Sequence, residues 1–280
     1  MPEGDTIHYA ANRIRPLLEG LVPEFDLVHR RFAADRWPER LAGRAVTAVD
    51  ARGKHLFVRF EGGLVLHSHL RMTGAWGTYT GDQRWHRARR RAWLALRTDR
   101  GEVVQFDGPV LELMTEARAR TDRRIAGLGP DIISDDFDEE IALRRLRSDD
   151  PTRTFGDALL DQRTVAGIGN IWKCESCFDA RIDPWRRAAD VGDDEVRAVL
   201  RAARPRMRNS AAHGHRVEPH HVYGLDGRPC TRCGTIVRRR GQGGRQPPDV
   251  LVHGVPAVSL ALTDSSRRPA RQRIETWRPP

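Results

Sequence analysis

Lysine is nearly absent from this chain: of 48 lysine and arginine residues, only Lys54 and Lys173 are lysines. Cysteines number four and tyrosines three, and no run approaches the roughly 20 apolar residues needed to cross a bilayer. A membrane-spanning protein is therefore not expected. The start is acidic and has no apolar leader segment, which argues against secretion. A reducing, cytoplasmic setting then disfavours a disulfide framework and makes metal binding the better reading of paired cysteines.

What is present is positive charge. The net charge is +10 over 280 residues, with pI near 10.5. A GC-rich genome favours arginine over lysine whatever the function, but it does not explain the surplus of cations. Arginine pairs with phosphate through a bidentate fork, so a nucleic-acid partner is expected. The length suits about two domains, at roughly 150 residues each.

The chain opens Met1-Pro2-Glu3-Gly4-Asp5-Thr6. Methionine is readily trimmed before proline, which would leave Pro2 as a secondary amine able to attack a sugar C1′ and pass to an iminium. Glu3 places a carboxyl beside it for proton transfer. Taken alone, the same hexapeptide reads equally well as a polar turn.

Apolar residues at helical spacing predict a helix over 7–20, with Pro16 late in it. From Ala45 to Phe106 the pattern turns to short strands, Val46–Ala51, Lys54–Phe60, Leu64–Leu70, Ala92–Arg97 and Val103–Phe106, separated by glycine turns. That predicts an antiparallel β-domain of two packed sheets over 1–126. A linker at 127–137 leads to helices at Asp138–Leu146, Thr154–Leu160, Ile171–Phe178 and Asp193–Ser210, within a domain spanning 138–215. A small cysteine-bearing module occupies 216–243, and 244–280 is an aberrant tail expected to be disordered.

Several segments carry chemistry. Lys54, in Arg52-Gly53-Lys54-His55, projects from a hairpin corner where arginine would serve a passive surface equally well. His67 and His69 share a strand face but lack a visible third metal ligand. In Arg71-Met72-Thr73 a methionine at a loop tip suits a wedge between bases, although a buried strand-end methionine is the commoner case. The run Gly167-Ile168-Gly169-Asn170 opens a helix, where backbone N–H groups and the helix dipole favour an anion such as a phosphate.

Five ordered segments, Pro2–Thr6, Gly53-Lys54, His69–Gly74, Val165–Asn170 and Tyr223-Gly224 through Cys230–Gly234, together resemble the formamidopyrimidine-DNA glycosylase / endonuclease VIII family, over residues 2 to about 243. The start Pro-Glu-Gly-Asp is similar to the endonuclease VIII branch. The resemblance implies an α+β multidomain fold: an antiparallel β-sandwich with flanking helices, a helix-two-turn-helix domain and a C-terminal zinc-ribbon remnant. It implies a monomeric bifunctional glycosylase and lyase acting on oxidised bases, pyrimidines above all, in damaged double-stranded DNA. Pro2 would be the Schiff-base nucleophile, Glu3 its acid/base partner, and Lys54 a phosphate ligand that assists cleavage. His69 and Asn170 would grip the backbone, and Arg71 and Met72 would fill the gap left by the extruded base. Lys173 is counted with the DNA-contacting set. Where the family often carries an acidic residue, Thr6 stands.

The resemblance makes Cys174 and Cys177 packing residues of a helix and leaves Cys230 and Cys233 as zinc ligands. A second C-x-x-C, expected roughly 15–20 residues after Cys233, is missing. For the family's hairpin arginine, Arg245 is the one weak candidate. If Leu251 to Pro256 are written in GC-rich codons and read one base later, they spell Trp-Cys-Thr-Ala-Cys. The tail is thus expected to be the product of a reading-frame shift. The rival expectation is a catalytically weak lesion-binding relative with a defective zinc module.

Overall fold

The computed structural model describes residues 2–239 together with the pair Leu251–Val252. Its first helix, α1 (Gly4–Leu18), points Ile7, Ala11, Ile14 and Leu18 inward and ends two residues past Pro16. Eight strands follow: β1 (Glu24–Val28), β2 (Val46–Arg52), β3 (His55–Phe60), β4 (Leu64–His69), β5 (Ala75–Tyr79), β6 (Ala92–Thr98), β7 (Gly101–Phe106) and β8 (Val110–Thr115). They form two four-stranded antiparallel sheets, ordered β1-β6-β7-β5 and β2-β3-β4-β8. Val46, Val49, Leu56, Val58 and Leu66 of one sheet and Leu94, Leu96 and Val103 of the other share a core with α1. The expected two-sheet domain is present, with three more strands than the pattern revealed. Lys54 belongs to the β2–β3 turn rather than to the strand, because Arg52 pairs directly with His55.

Short helices α2 (Trp37–Leu41), α3 (Glu116–Thr121) and α4 (Arg123–Ala126) flank the sheets. The helical half consists of α5 (Glu139–Arg147), α6 (Phe155–Leu160), α7 (Asn170–Ala180) and α8 (Asp193–His213), each within a few residues of its expected span. Thr154 caps α6 by accepting from Asp157 N, and Asp138 caps α5 by accepting from Ile141 N. Phe155, Leu159, Val165, Ile168, Trp172 and Met207 build a second core. A turn at 162–164 followed by bends at 165 and 167 joins α6 to α7.

α1 ties the halves together. Ser210 Oγ of α8 donates to the buried Asp5 at 2.6 Å, and Asn12 donates to Ala211 O at 3.1 Å. Beyond α8, strand β9 (Arg238–Arg239) pairs antiparallel with β10 (Leu251–Val252). The rest of the 244–280 tail, Arg245 included, lies outside the described residues. Among the described residues, no helix is long and apolar enough to cross a membrane.

Candidate active site

The N-terminal segment and the α6–α7 turns meet in unusually close contact. Gly4 N donates to Gly167 O at 2.9 Å. The Glu3 side chain, 1% exposed, enters the N-terminal end of α7 and accepts from Gly169 N (3.0 Å), Ile171 N (2.7 Å) and Trp172 N (3.2 Å). A Cβ on Gly169 would sit 2.3 Å from the Glu3 carboxyl carbon, so only glycine fits. Here the structure corrects the sequence reading: the anion held by this helix start is the protein's own Glu3 carboxylate, not a phosphate.

Burial raises the pKa of Glu3 to about 7; the Lys54 charge opposes that rise, Asp5 adds to it, and the Ile171 and Trp172 N–H groups oppose it. Lys54 itself is pushed below its ordinary value by burial, against the pull of Glu3 and Asp5. Its turn is placed by Gly53, at φ +56°, where a Cβ would lie 2.9 Å from the Ala166 Cβ. Asp131 in the linker completes the anchorage. It accepts from Gly53 N (2.7 Å), from His8 Nε2 (2.8 Å) and from Ile133 N (3.0 Å). Burial alone would raise its pKa, but these partners bring it below the ordinary carboxylate value.

The strand register places His55 opposite His69 and Phe57 opposite His67. His55 Nδ1 lies 2.8 Å from His67 Nε2, and His69 packs edge-on to His55 with ring centres 4.8 Å apart. His69 Nδ1 accepts the Arg71 N–H at 3.1 Å, so the neutral ring carries its proton on Nε2. Burial, with Arg71, Lys54 and His67 nearby, lowers the His69 pKa to about 4. His69 is thus a neutral hydrogen-bond donor near pH 7. His67 is fully enclosed, and no group of three or more metal-ligating side chains occurs among the described residues.

Pro2, Thr6, Tyr9, Trp76, Ile171 and Trp172 line a cavity of about 470 Å³. A larger cleft of about 720 Å³ between β2 and the linker holds none of the expected site residues. In the loop between β4 and β5, Met72 is 62% exposed, and Arg71 beside it adopts φ +48°. Methionine at this tip is presented outward, not packed. Asn170 starts α7, with its Oδ1 3.9 Å from the Cys174 thiol.

Lys173 departs from expectation. Residues 172–178 of α7 are buried all round and Lys173 is 0% exposed, so its ammonium is not presented to DNA. Cys174 and Cys177 are buried and form no disulfide among the described residues, as expected of packing residues. Sequence reading also missed Glu175 on the same helix. It is wholly buried, accepts from His221 N (2.7 Å), Val222 N (3.1 Å) and Tyr223 N (2.8 Å), and lies 3.6 Å from Arg206. A carboxylate flanked by Cys174, Ser176, Cys177 and Phe178 in a largely apolar helix was the available signal for it.

Cys230 and Cys233 sit on a tight knuckle: Gly234 N donates to Cys230 O (2.8 Å), and Arg232 N donates to Cys230 Sγ (3.3 Å). Cys230 packs with Cys174, Phe178, Val222 and Val237, which seats the module on α7. Such a knuckle suits two thiolate ligands, but zinc takes four, and the described residues supply no others.

Residues 1–109 match the formamidopyrimidine-DNA glycosylase N-terminal domain, and residues 128–218 match the formamidopyrimidine-DNA glycosylase H2TH domain. The chain is 41% identical over 263 residues to the probable endonuclease 8 2 of Streptomyces coelicolor, covering 89% of this chain and 91% of that one. It is 36% identical over 248 residues to the DNA-(apurinic or apyrimidinic site) lyase Nei2 of Mycolicibacterium smegmatis, covering 85% and 92%. Among solved structures, the MutM (Fpg) protein of Thermus thermophilus aligns at TM-score 0.72 and 29% identity, over 89% of this chain and 96% of that one. A Lactococcus lactis Fpg complex with lesion-containing DNA, at 21% identity and TM-score 0.76, shares the fold over 91% of this chain and 98% of that one. With both domains matched in order and close relatives along most of its length, the chain belongs to the formamidopyrimidine-DNA glycosylase / endonuclease VIII family.

Proposed function

We propose that this protein is a base-excision repair enzyme, a DNA glycosylase with abasic-site lyase activity, acting on oxidised bases and pyrimidines above all. The observation that carries the reading is the placement of Glu3, buried beside Pro2 at the head of α7 with a pKa near 7. A carboxyl poised there can give and take a proton at working pH. After Met1 is removed, the Pro2 nitrogen forms a bond to C1′ of the damaged nucleotide. The bond from C1′ to the base breaks, and the base leaves with a proton delivered through Glu3. The sugar ring opens to an iminium on Pro2, whose positive charge acidifies C2′. Loss of the C2′ proton then expels the 3′ phosphate, which is β-elimination; a second elimination releases the 5′ phosphate.

Lys54, whose charge acts on Glu3, the neutral Nε2–H of His69, and Asn170 at the head of α7 suit the phosphates flanking an extruded nucleotide. Met72 and Arg71, exposed on a left-handed loop, suit the gap in the stack. The arginine-rich surface supplies salt-dependent affinity without sequence preference.

Borohydride reduction during reaction with an abasic duplex tests the reading. It should trap a covalent complex whose adduct maps to the N-terminal peptide. An adduct on Lys54, or none at all, would sink it.

A further inference from the structure

The loop bearing Met72 is braced by a residue outside the five family-like segments. In the segment between β5 and β6, Arg87 Nη1 donates to Thr73 O at 3.0 Å and to Asp107 Oδ2 at 2.8 Å. Asp107 lies just after β7 and is itself held by two groups of Arg91. Arg91 Nε donates to Oδ1 at 3.1 Å, and Asp107 N donates to Arg91 O at 2.9 Å. Arg91 Nη2 also stands 2.7 Å from Asp107 Oδ2.

Two of the four non-glycine residues with positive φ among the described residues flank this tie: Arg71 at 48° and Asp107 at 47°. Each such conformation is strained for a residue with a side chain and persists only where the surroundings over-determine it. Met72 contributes little of that constraint because it is mostly exposed. The rigid fork of a guanidinium, by contrast, reaches two acceptors on two loops at once.

We propose that Arg87 is a positioning residue that ties Thr73 to Asp107 and so keeps the 70–74 loop in the conformation that inserts Met72 into the duplex. The inference rests on the reading of Met72 as the gap filler. It concerns only steps that need insertion, not bond cleavage itself.

The test uses the full chain and abasic DNA in two forms, a duplex with 2-aminopurine opposite the abasic site and the same strand alone. Wild type, Arg87→Met, Arg87→Lys, Asp107→Asn and Met72→Ala are compared under single turnover with enzyme in excess. Arg87→Met should slow the 2-aminopurine signal and cleavage of the duplex by about tenfold or more, in parallel with Met72→Ala, while cutting the single strand within about twofold of wild type. Asp107→Asn should show the same pattern more weakly, and Arg87→Lys should recover part of the duplex rate. If Met72→Ala is slow on the duplex but Arg87→Met and Asp107→Asn are not, the bracing role is wrong and the wedge reading stands. If Met72→Ala leaves the signal and rate untouched, the wedge reading fails and the brace with it. If Arg87→Met slows single-strand cleavage equally, Arg87 acts on the reacting sugar or on the fold, and the proposal is overturned.

Discussion

The Glu3 carboxylate and the Ile171 backbone N–H are 2.7 Å apart. They come from opposite halves of the molecule, so the proposed acid/base group is clamped by a helix of the other half. Burial keeps its pKa near 7, with the Lys54 charge restraining a larger rise. The protonated, donating form therefore disappears as pH climbs through about 7. The single-turnover rate of base excision should decline above that point, approaching tenfold per pH unit where proton donation limits. Lys54→Met removes the restraining charge, so its alkaline limb should move to higher pH. Identical profiles at saturating enzyme would refute the coupling.

Acid should weaken the fold through the histidine column. Burial holds His55 at about 3 and His69 at about 4, against an ordinary value of 6.5, and lowers His67 as well. The folded-state values of His55 and His69 lie below the unfolded one, so the unfolded chain binds more protons between them. Stability is full above about pH 6.5 and falls steadily toward pH 4. The loss should reach several kcal/mol in sum, because each tenfold difference in proton affinity is worth about 1.4 kcal/mol. Urea unfolding at pH 7.5 and pH 5 measures the slope. His55→Phe/His67→Phe should flatten it, and an unchanged slope would place the acid sensitivity elsewhere.

Asn170→Ala and Lys54→Ala should each weaken binding to abasic duplex by about 1.5–3 kcal/mol, the scale of a lost charge-assisted hydrogen bond. Neither side chain belongs to an apolar core cluster, so thermal unfolding should shift little. Titration at moderate salt decides, and wild-type affinity would remove the residue from the phosphate-gripping set.

Glu175 should matter to stability more than to chemistry. Its removal orphans the N–H groups of His221, Val222 and Tyr223 and leaves Arg206 short of a partner. Glu175→Ala should cost on the order of 3–5 kcal/mol and open the 214–223 segment to protease. Glu175→Gln, which keeps one acceptor oxygen, should cost less. Protection equal to wild type in the alanine variant would contradict this.

The tail carries a prediction that the nucleotide sequence settles. If 251–256 are encoded as Trp-Cys-Thr-Ala-Cys in the next frame, the gene or its assembly has shifted. The frame-corrected chain should then bind one zinc ion per molecule, and the chain as written should hold little. Codons that do not yield two cysteines in that frame would end the idea.

How far is this molecule legible in its sequence? Residues whose chemistry is local are found there: the Pro2-Glu3 start, the Gly53-Lys54 corner and the α7 opening all announce themselves within a few positions. The missed strands have physical reasons. β5 carries Gly77 at its centre, and β8 runs into α3 as Val-Leu-Glu-Leu-Met, an apolar spacing that also fits a helix. Long-range partners leave no local trace. Nothing near Asp131 indicates Gly53, 78 positions away, and nothing near Arg87 indicates Thr73. The helix start is correctly read as an anion site, but a sequence window cannot show that the anion is Glu3, because that identity depends on the docking of two domains.

The sealing of Glu3 by Gly169, Ile171 and Trp172 sets a deadline during synthesis. Those three residues leave the ribosome roughly 165 residues after the start, which at about 5–20 residues per second is on the order of ten seconds or more. Before then the N-terminus hangs free and open to an aminopeptidase; afterwards its third residue is walled in. Maturation of the proposed nucleophile, Pro2, is therefore a race against the chain's own folding. Any change that hastens docking of the α6–α7 turns should raise the fraction of molecules that keep Met1 and never gain a reactive amine.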